Sequence, residues 1–184
     1  MAKHGDFGIG TLNGLNGEMI ALDGKFYQIP VTGVPREVSL SEKTPYATVN
    51  FFENDFTVQV ENVSSYLNLT SIINSTLANY NLIYAIRVHG YFEFAETRSV
   101  PMQYEPYTTI TEVVKNQTVF NLNEIEGTAV GFFFPDSLNG VDAVGYHLHF
   151  ITDDHTGGGH LLECSIKSAK VEIDSIDNYH LLIP

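Results

Sequence analysis

The sequence predicts an α+β fold, with mainly antiparallel or mixed β-sheets in two intertwined halves and one or two helices. Two observations carry this prediction. Short runs rich in Val, Ile, Tyr, Phe and Thr recur along the chain, and these residue types suit the pleated surface of a strand. One segment instead repeats its apolar residues with a helical period.

The predicted strands begin with a hairpin. Two short apolar runs flank Asp23-Gly24, and an Asp-Gly step favours the positive φ angles of a tight two-residue turn. By contrast, we expect Gly8-Ile9-Gly10 to form a tight glycine loop near the N-terminus. The strands are predicted at residues 18–23, 25–32, 47–53, 56–61, 82–88, 90–94, 127–134, 144–152, 160–167 and 170–176.

Helices are predicted in two places. Residues 64–80 carry a 3.6-residue apolar period that begins at Tyr66, with a serine near the start as a cap. This segment is rich in Asn, Ser and Thr, so its intrinsic helix propensity is poor and packing must hold it. Residues 109–115 form a shorter candidate with Ile110 and Val113 on one side.

The domain organisation is predicted from length and from the distribution of proline. A chain of 184 residues fits a single domain, residues 1–184. Pro101, Pro106 and the polar residues between them suggest a seam between an N-terminal half of about residues 1–100 and a C-terminal half of about 101–184.

Composition excludes several classes of function. Nine basic residues against 22 acidic ones give a net charge of −13, which disfavours nucleic acid and anionic membrane surfaces as partners. No apolar run has the length of a membrane span, and no signal peptide is visible. Cys164 is the single cysteine, and we expect it to be a small residue of the core. We therefore expect a cytoplasmic protein with a small-molecule substrate.

Three histidines form the strongest functional signal. Because side chains alternate along a strand, His147 and His149 point to the same face, about 7 Å apart at Cα. The opposite face carries Tyr146, Leu148 and Phe150. His160 follows a polar turn and three glycines, and opens the next strand, so it can return beside the pair. Three converging imidazoles match a zinc site that keeps one position open for substrate.

The sequence is compatible with more than one metal and with more than one kind of metal site. Imidazole ligands suit zinc, copper, iron or nickel, and zinc is favoured because no redox cofactor motif is present. A cupin also uses a His-x-His pair, but it would place a glutamate where Asp153 stands and its third histidine farther along. The other histidines, His4, His89, His155 and His180, are expected to be structural or exposed.

The chain resembles the α-acetolactate decarboxylases over nearly its whole length. The most specific block is Gly145-Tyr146-His147-Leu148-His149-Phe150, followed by Gly158-Gly159-His160. An N-terminal block opens with His4-Gly5-Asp6-Phe7-Gly8-Ile9-Gly10-Thr11. Further matching segments are residues 17–19, 23–28, 82–87, 97–98 and 127–132.

The resemblance implies a function and a set of site residues. The family converts 2-acetolactate to acetoin and carbon dioxide with a bound zinc, in a two-part α+β fold with the site between the halves, and dimers are usual. Its zinc histidines match His147, His149 and His160. Its active-site glutamate, arginine and threonine match Glu18, Arg98 and Thr11.

The resemblance also leads to an expectation about the ends of the chain. Family members carry a further N-terminal segment and a C-terminal tail with another active-site glutamate, and this chain stops where that tail would start. We therefore expect the 184-residue chain to bind zinc but to turn over acetolactate more slowly than a version extended at its C-terminus.

The residues themselves leave alternatives open. On its pattern alone, Arg98 would form a surface ion pair with Glu93 or Glu96, whereas Arg87 lies in an apolar strand and suits a half-buried role. Glu18 could be a metal ligand, a proton donor or an acceptor for a hydroxyl. Two other functions also stay open: a non-catalytic metal-binding β module, and a cupin-like metal-dependent oxygenase or isomerase.

Overall fold

The computed structural model of the chain describes residues 2–39 and 41–182. Helix α1 spans Tyr66–Asn74 and α2 spans Ile110–Val114, and a 3-10 turn covers Asp136–Leu138. The described strands are β1 (Phe7–Thr11), β2 (Glu18–Leu22), β3 (Lys25–Ile29), β4 (Arg36–Glu37), β5 (Tyr46–Asn50), β6 (Phe56–Val63), β7 (Ile83–Ser99), β8 (Thr118–Phe134), β9 (Gly145–Thr152) and β10 (Gly158–Ile176).

The strands form two five-stranded sheets. The first has the order β4-β3-β2-β1-β5 and the second has the order β6-β10-β7-β8-β9, and all pairs between these strands are antiparallel. Strand β9 also pairs with the first residues of β10. The predicted fold class, mainly antiparallel β with two helices, is therefore confirmed.

The hydrophobic core has one part between the sheets and others on their outer faces. Phe7 and Ile9 of the first sheet pack with Phe132 and Ile151 of the second. Helix α1 covers the opposite face of the second sheet and packs Leu69 and Ile73 against it. Because the two sheets share a core, residues at the end of one can be fixed relative to residues at the end of the other.

The Asp23-Gly24 hairpin forms as predicted. Leu22 pairs with Lys25, and the two turn residues have φ angles of +50° and +78°, as a tight hairpin turn requires. The hairpin holds β2 beside β3, and β2 carries a residue of the site at its first position.

The Gly8-Ile9-Gly10 segment is not a tight loop, so that prediction was wrong. It is the middle of strand β1, between β2 and β5. A Cβ atom on Gly8 would lie 2.2 Å from the Thr48 carbonyl oxygen, and one on Gly10 would lie 2.5 Å from that of Tyr46. The glycines therefore allow β5 to approach closely.

Two pairs of predicted strands are single long strands. Strand β7 runs unbroken through Gly90, and β10 runs through Ser168 with register irregularities. Gly90 does not interrupt its strand because it gives room to β10: a Cβ there would lie 2.2 Å from the Ser168 carbonyl oxygen.

Helix α1 is shorter than predicted. Ser65 caps its start by accepting a hydrogen bond from the Asn68 N–H at 3.1 Å. After Asn74, the hydroxyls of Ser75 and Thr76 donate to the carbonyls three residues earlier, at 2.6 and 2.7 Å. Such side-chain bonds compete with the helix and favour its end there.

The change of sheet falls between Asn50 and Phe56. The segment with Pro101 and Pro106, which the sequence predicts as a seam, joins β7 to β8, and these strands are neighbours within the second sheet. Neither helix that the structure describes is long and apolar enough to cross a membrane.

Candidate metal centre

The structure brings His147, His149 and His160 together. His147 and His149 lie on the same face of β9, and His160 pairs directly opposite His149 at the start of β10. The centroids of the three rings are 4.9 to 5.4 Å apart, and the nitrogen atoms that could bind a metal all lie within 4.8 Å of one another. The alternation of side chains along β9 and the return of the chain at β10 thus produce a three-histidine cluster.

Two nitrogen atoms of this cluster have the spacing of ligands to a tetrahedral metal. The Met19 carbonyl can only accept, so His149 donates through its Nδ1–H at 3.0 Å and keeps a lone pair on Nε2. This Nε2 lies 3.2 Å from the Nε2 of His147. Zinc bound to nitrogen at about 2.0–2.1 Å needs ligand atoms roughly 3.3 Å apart. In addition, the Nδ1 atoms of His147 and His160 are buried without a hydrogen-bond partner among the described residues.

Burial keeps the three imidazoles neutral. It lowers the pKa of His147 to about 4, an effect that nearby Asp142 opposes and Arg98 reinforces. Burial also holds the pKa values of His149 and His160 well below the usual range, and the neighbouring histidines and Arg98 act in the same direction. Neutral imidazole is the form that binds a metal.

Glu18 lies against the histidine cluster from the other sheet. It is the first residue of β2, its side chain is 9% exposed, and its Oε2 lies 3.5 Å from the Nε2 of His149. Burial raises the pKa of this carboxyl to about 7, against the opposing effect of Arg98. A bound cation would favour the ionised form.

Arg98 reaches the same cavity from β7. Its backbone pairs with His160 on one side and with Val119 on the other. Among the described residues Arg98 makes no ion pair, so the predicted alternative of a surface pair with Glu93 or Glu96 does not form. Its guanidinium is thus available to an anionic ligand.

Thr11 completes the predicted set. It ends β1 directly opposite Glu18 and is buried. Its hydroxyl donates to the Gly17 carbonyl at 2.6 Å, so in this arrangement the oxygen is an acceptor towards the cavity.

These residues line one cavity of about 570 Å³. Three polar residues that the sequence analysis did not assign to the site also line it, namely Tyr46, Asp142 and Tyr146. No sequence motif marks Tyr46 or Asp142; only the position of Asp142, five residues before His147, could have drawn attention to it. The remaining wall is apolar and includes Leu15, Val100, Ile110 and Val141.

Arg87 and the other histidines lie elsewhere. The Arg87 guanidinium pairs with Asp23 at 2.7 Å and lies over the Phe52 ring at 4.9 Å, so it links the two sheets and does not line the cavity. The ring of His155 packs on Tyr27, and His89 contacts Thr128.

Comparison with known proteins identifies the family. A family model described as alpha-acetolactate decarboxylase matches residues 1–184. Two curated relatives carry that name: one from Methanosarcina mazei is 41% identical over all of this chain and 64% of its own length, and one from Brevibacillus brevis is 40% identical over 98% and 63%. The chain thus spans slightly less than two thirds of the length of these relatives.

A solved structure agrees with these relatives. The crystal structure of alpha-acetolactate decarboxylase from Bacillus subtilis strain 168 superposes with a TM-score of 0.96 at 39% identity, over 99% of this chain and 78% of that one. This likeness gives no support to a cupin-like fold. With a family model that matches the full sequence and a solved member that superposes on nearly all of it, the chain belongs to the alpha-acetolactate decarboxylase family.

Proposed function

We propose that this chain decarboxylates 2-acetolactate to acetoin and carbon dioxide, with a zinc ion held by His147, His149 and His160. The observation that carries the proposal is the convergence of three neutral imidazoles beside a buried acid and an arginine that pairs with none of the described acids, in a member of this family. When bound, zinc supplies a Lewis acid that stabilises negative charge developing on the substrate oxygens.

The reaction requires three functions of the protein. The bond between the carboxylate carbon and its neighbour breaks, CO₂ leaves, and the electron pair stays behind as an enediolate. The hydroxyl-bearing carbon, which has lost the carboxylate, must then receive a proton. The protein therefore has to orient the carboxylate, stabilise the negative charge and deliver one proton.

Arg98 is suited to orienting the substrate carboxylate and to stabilising the negative charge. Its planar guanidinium can hold a carboxylate through two parallel hydrogen bonds. None of the described acids forms an ion pair with it, so its guanidinium is available to the substrate carboxylate. As CO₂ departs, the same fixed cation stabilises the charge that remains.

Glu18 suits the proton transfer. It is buried, lies 3.5 Å from His149, and has a pKa raised to about 7 without a metal ion. A general acid or base works best with a pKa near the working pH. A bound zinc would lower the pKa of Glu18 and favour the carboxylate, which can take up a proton and pass it to the substrate carbon. Thr11 offers a hydroxyl oxygen as an acceptor, which suits the hydroxyl group of the substrate.

The proposal includes the partners expected from the sequence. The substrate is a small 2-hydroxy-3-keto acid, and the chain works as a homodimer in the cytoplasm. The histidine cluster of a single chain is formed by β9 and β10 alone, so zinc binding does not require the second copy. Light scattering on the purified protein measures the oligomeric state.

A product assay tests the proposed function. Purified chain loaded with zinc is given 2-acetolactate, and acetoin and CO₂ are measured together. We expect equal amounts of the two products, and no production above background by His147→Ala at the same protein concentration. Bound zinc with no acetoin from the wild-type chain would instead support the non-catalytic metal-binding module.

A further inference from the structure

The connection between β8 and β9 forms part of the wall of the cavity that contains the histidines. It includes residues 140–143, which line the cavity, and it leads directly into the strand that carries His147 and His149. Asp142 lies in this connection and extends across to β5 of the other sheet. We propose that Tyr46, Thr48 and Asp142 form a latch that positions this wall and thereby sets the size of substrate that the cavity accepts; the inference about substrate rests on the proposed function.

The Asp142 carboxylate is held by four donors. Its Oδ1 accepts from the Tyr46 hydroxyl and from the Ala143 N–H at 2.8 Å. Its Oδ2 accepts from the Thr48 hydroxyl at 3.0 Å and more distantly from the Tyr179 hydroxyl at 3.4 Å. No lysine or arginine of the described chain pairs with it. The carboxylate is therefore held by neutral donors, and two of them belong to β5.

After Leu138, which packs against the core between the sheets, the connection has few other contacts that hold it in place. Val141 is 45% exposed and Val144 is 41% exposed, so the apolar residues that flank Asp142 contribute little buried surface. The backbone bonds of the segment are local: the N–H groups of Val141 and Asp142 both donate to the Leu138 carbonyl. After Leu138, the side-chain bonds of Asp142 to β5 thus tie the segment to the first sheet.

The latch has a consequence for the substrate. Val141 and Ala143 lie on either side of Asp142 and line the cavity, so the position of Asp142 fixes the position of both. Tyr46 also lines the cavity, and its hydroxyl donates its proton to Asp142. Tyr46 and Asp142 are therefore positioning residues, and we expect them to control which alkyl substituent fits beside the histidines.

A comparison of two substrates tests the inference. Tyr46→Phe and Asp142→Asn are assayed with 2-acetolactate and with its homologue that carries ethyl in place of methyl on the hydroxyl-bearing carbon. We expect KM for 2-acetolactate to rise about tenfold or more, as for the loss of a hydrogen bond to a charged group. The ratio of kcat/KM for the ethyl over the methyl substrate should rise at least about threefold. Tyr46→Phe removes the donor of this contact and Asp142→Asn removes the charge of its acceptor, so the double variant should differ little from Tyr46→Phe.

Tyr84→Phe is the matched control. Its hydroxyl donates to the Asn79 carbonyl at 3.0 Å, and it lies outside the cavity. This variant should lose stability without changing the substrate ratio. An unchanged ratio in Tyr46→Phe as well as in Asp142→Asn would overturn the proposal.

Hydrogen exchange separates this inference from the proposed function. In Tyr46→Phe and Asp142→Asn, amides of residues 136–144 should exchange about tenfold faster or more, whereas those in the middle of β7 should not change. Unchanged protection of residues 136–144 would show that no latch exists, even if the variants lose activity. If the wild-type chain makes no acetoin, the proposed function fails, and the exchange result still decides whether the latch is present.

Discussion

At the scale of the residue, the three histidines differ in what holds the second ring nitrogen. His149 is oriented by the Met19 carbonyl of the other sheet, whereas the Nδ1 atoms of His147 and His160 have no described partner. Hydrogen-bond partners of this kind orient a metal ligand, and losing one typically weakens metal binding by about 10- to 100-fold. A ligand itself contributes more, because three protein ligands leave no redundancy.

The first prediction concerns the histidines. His147→Ala, His149→Ala and His160→Ala should each weaken zinc binding by at least about 100-fold. Isothermal titration of the apoprotein measures this directly. His89→Ala is the control, because His89 is half-exposed and lies outside the cavity, and it should bind zinc normally. Full zinc affinity in His147→Ala would contradict the assignment.

The second prediction separates catalysis from folding at Arg98. Arg98→Lys keeps the charge but loses the planar fork, so the rate should fall by about 100-fold while Tm changes little. Steady-state kinetics and thermal unfolding measure the two effects. Arg87→Lys is the matched control. It should lower Tm and leave the rate nearly unchanged, because Arg87 forms an ion pair and an aromatic contact between the sheets. A wild-type rate in Arg98→Ala would remove Arg98 from the mechanism.

At the scale of the element, the histidines depend on how closely β8 and β9 approach each other. Gly131 of β8 pairs with Leu148, and a Cβ at Gly131 would lie 2.0 Å from the His147 carbonyl oxygen. A side chain there cannot be accommodated unless β9 moves, and β9 carries two of the three histidines. Glycine at this position is therefore part of the construction of the site.

The third prediction follows from this contact. Gly131→Ala should destabilise the protein by about 1–3 kcal/mol, as overpacking does, and should also weaken zinc binding. Denaturant unfolding and zinc titration measure the two effects. Gly24→Ala is the control: no described residue beyond its chain neighbours lies within 4 Å of its Cβ position, but its φ of +78° is strained for alanine. It should lose stability while zinc affinity stays unchanged, and equal losses of zinc affinity in both variants would contradict the account.

Local sequence patterns predict that a helix or strand is present better than they predict where it begins and ends. The Asp23-Gly24 turn, the strand with His147 and His149, and the cap of α1 all follow from rules that act over a few residues. The sequence predicts a loop at Gly8 and Gly10 where the structure has a strand, because these glycines make room for β5, which is distant in sequence. No short window contains that information.

At the scale of the whole molecule, the candidate site is formed where the two sheets meet. Glu18 and Thr11 come from the first sheet, and Arg98 and the histidines come from the second. The resemblance to a known family named these residues in advance, but it did not name Tyr46 and Asp142. Those two are brought together by the packing of the sheets across 96 positions of sequence, which local patterns do not encode.

The fourth prediction concerns the metal and the stability of the fold. Because zinc would bind the folded chain in preference to the unfolded one, it stabilises by about 2.7 kcal/mol at 100 times Kd. For a chain of this size that corresponds to an increase in Tm of roughly 5–10 °C. Calorimetry of chelated and zinc-reloaded protein measures the shift. His147→Ala should show no such shift, and an identical zinc-dependent shift in that variant would place the stabilising ion elsewhere.

The measurement that tests the central claim most directly is a titration of zinc into the metal-free chain, with acetoin production followed at each step. We predict that activity rises in proportion to bound zinc and reaches a plateau at about one ion per chain, because the three histidines form one site. His160→Ala, titrated in parallel, should stay inactive throughout. Full activity before any zinc is added, or a plateau reached by His160→Ala with the same stoichiometry, would contradict the account.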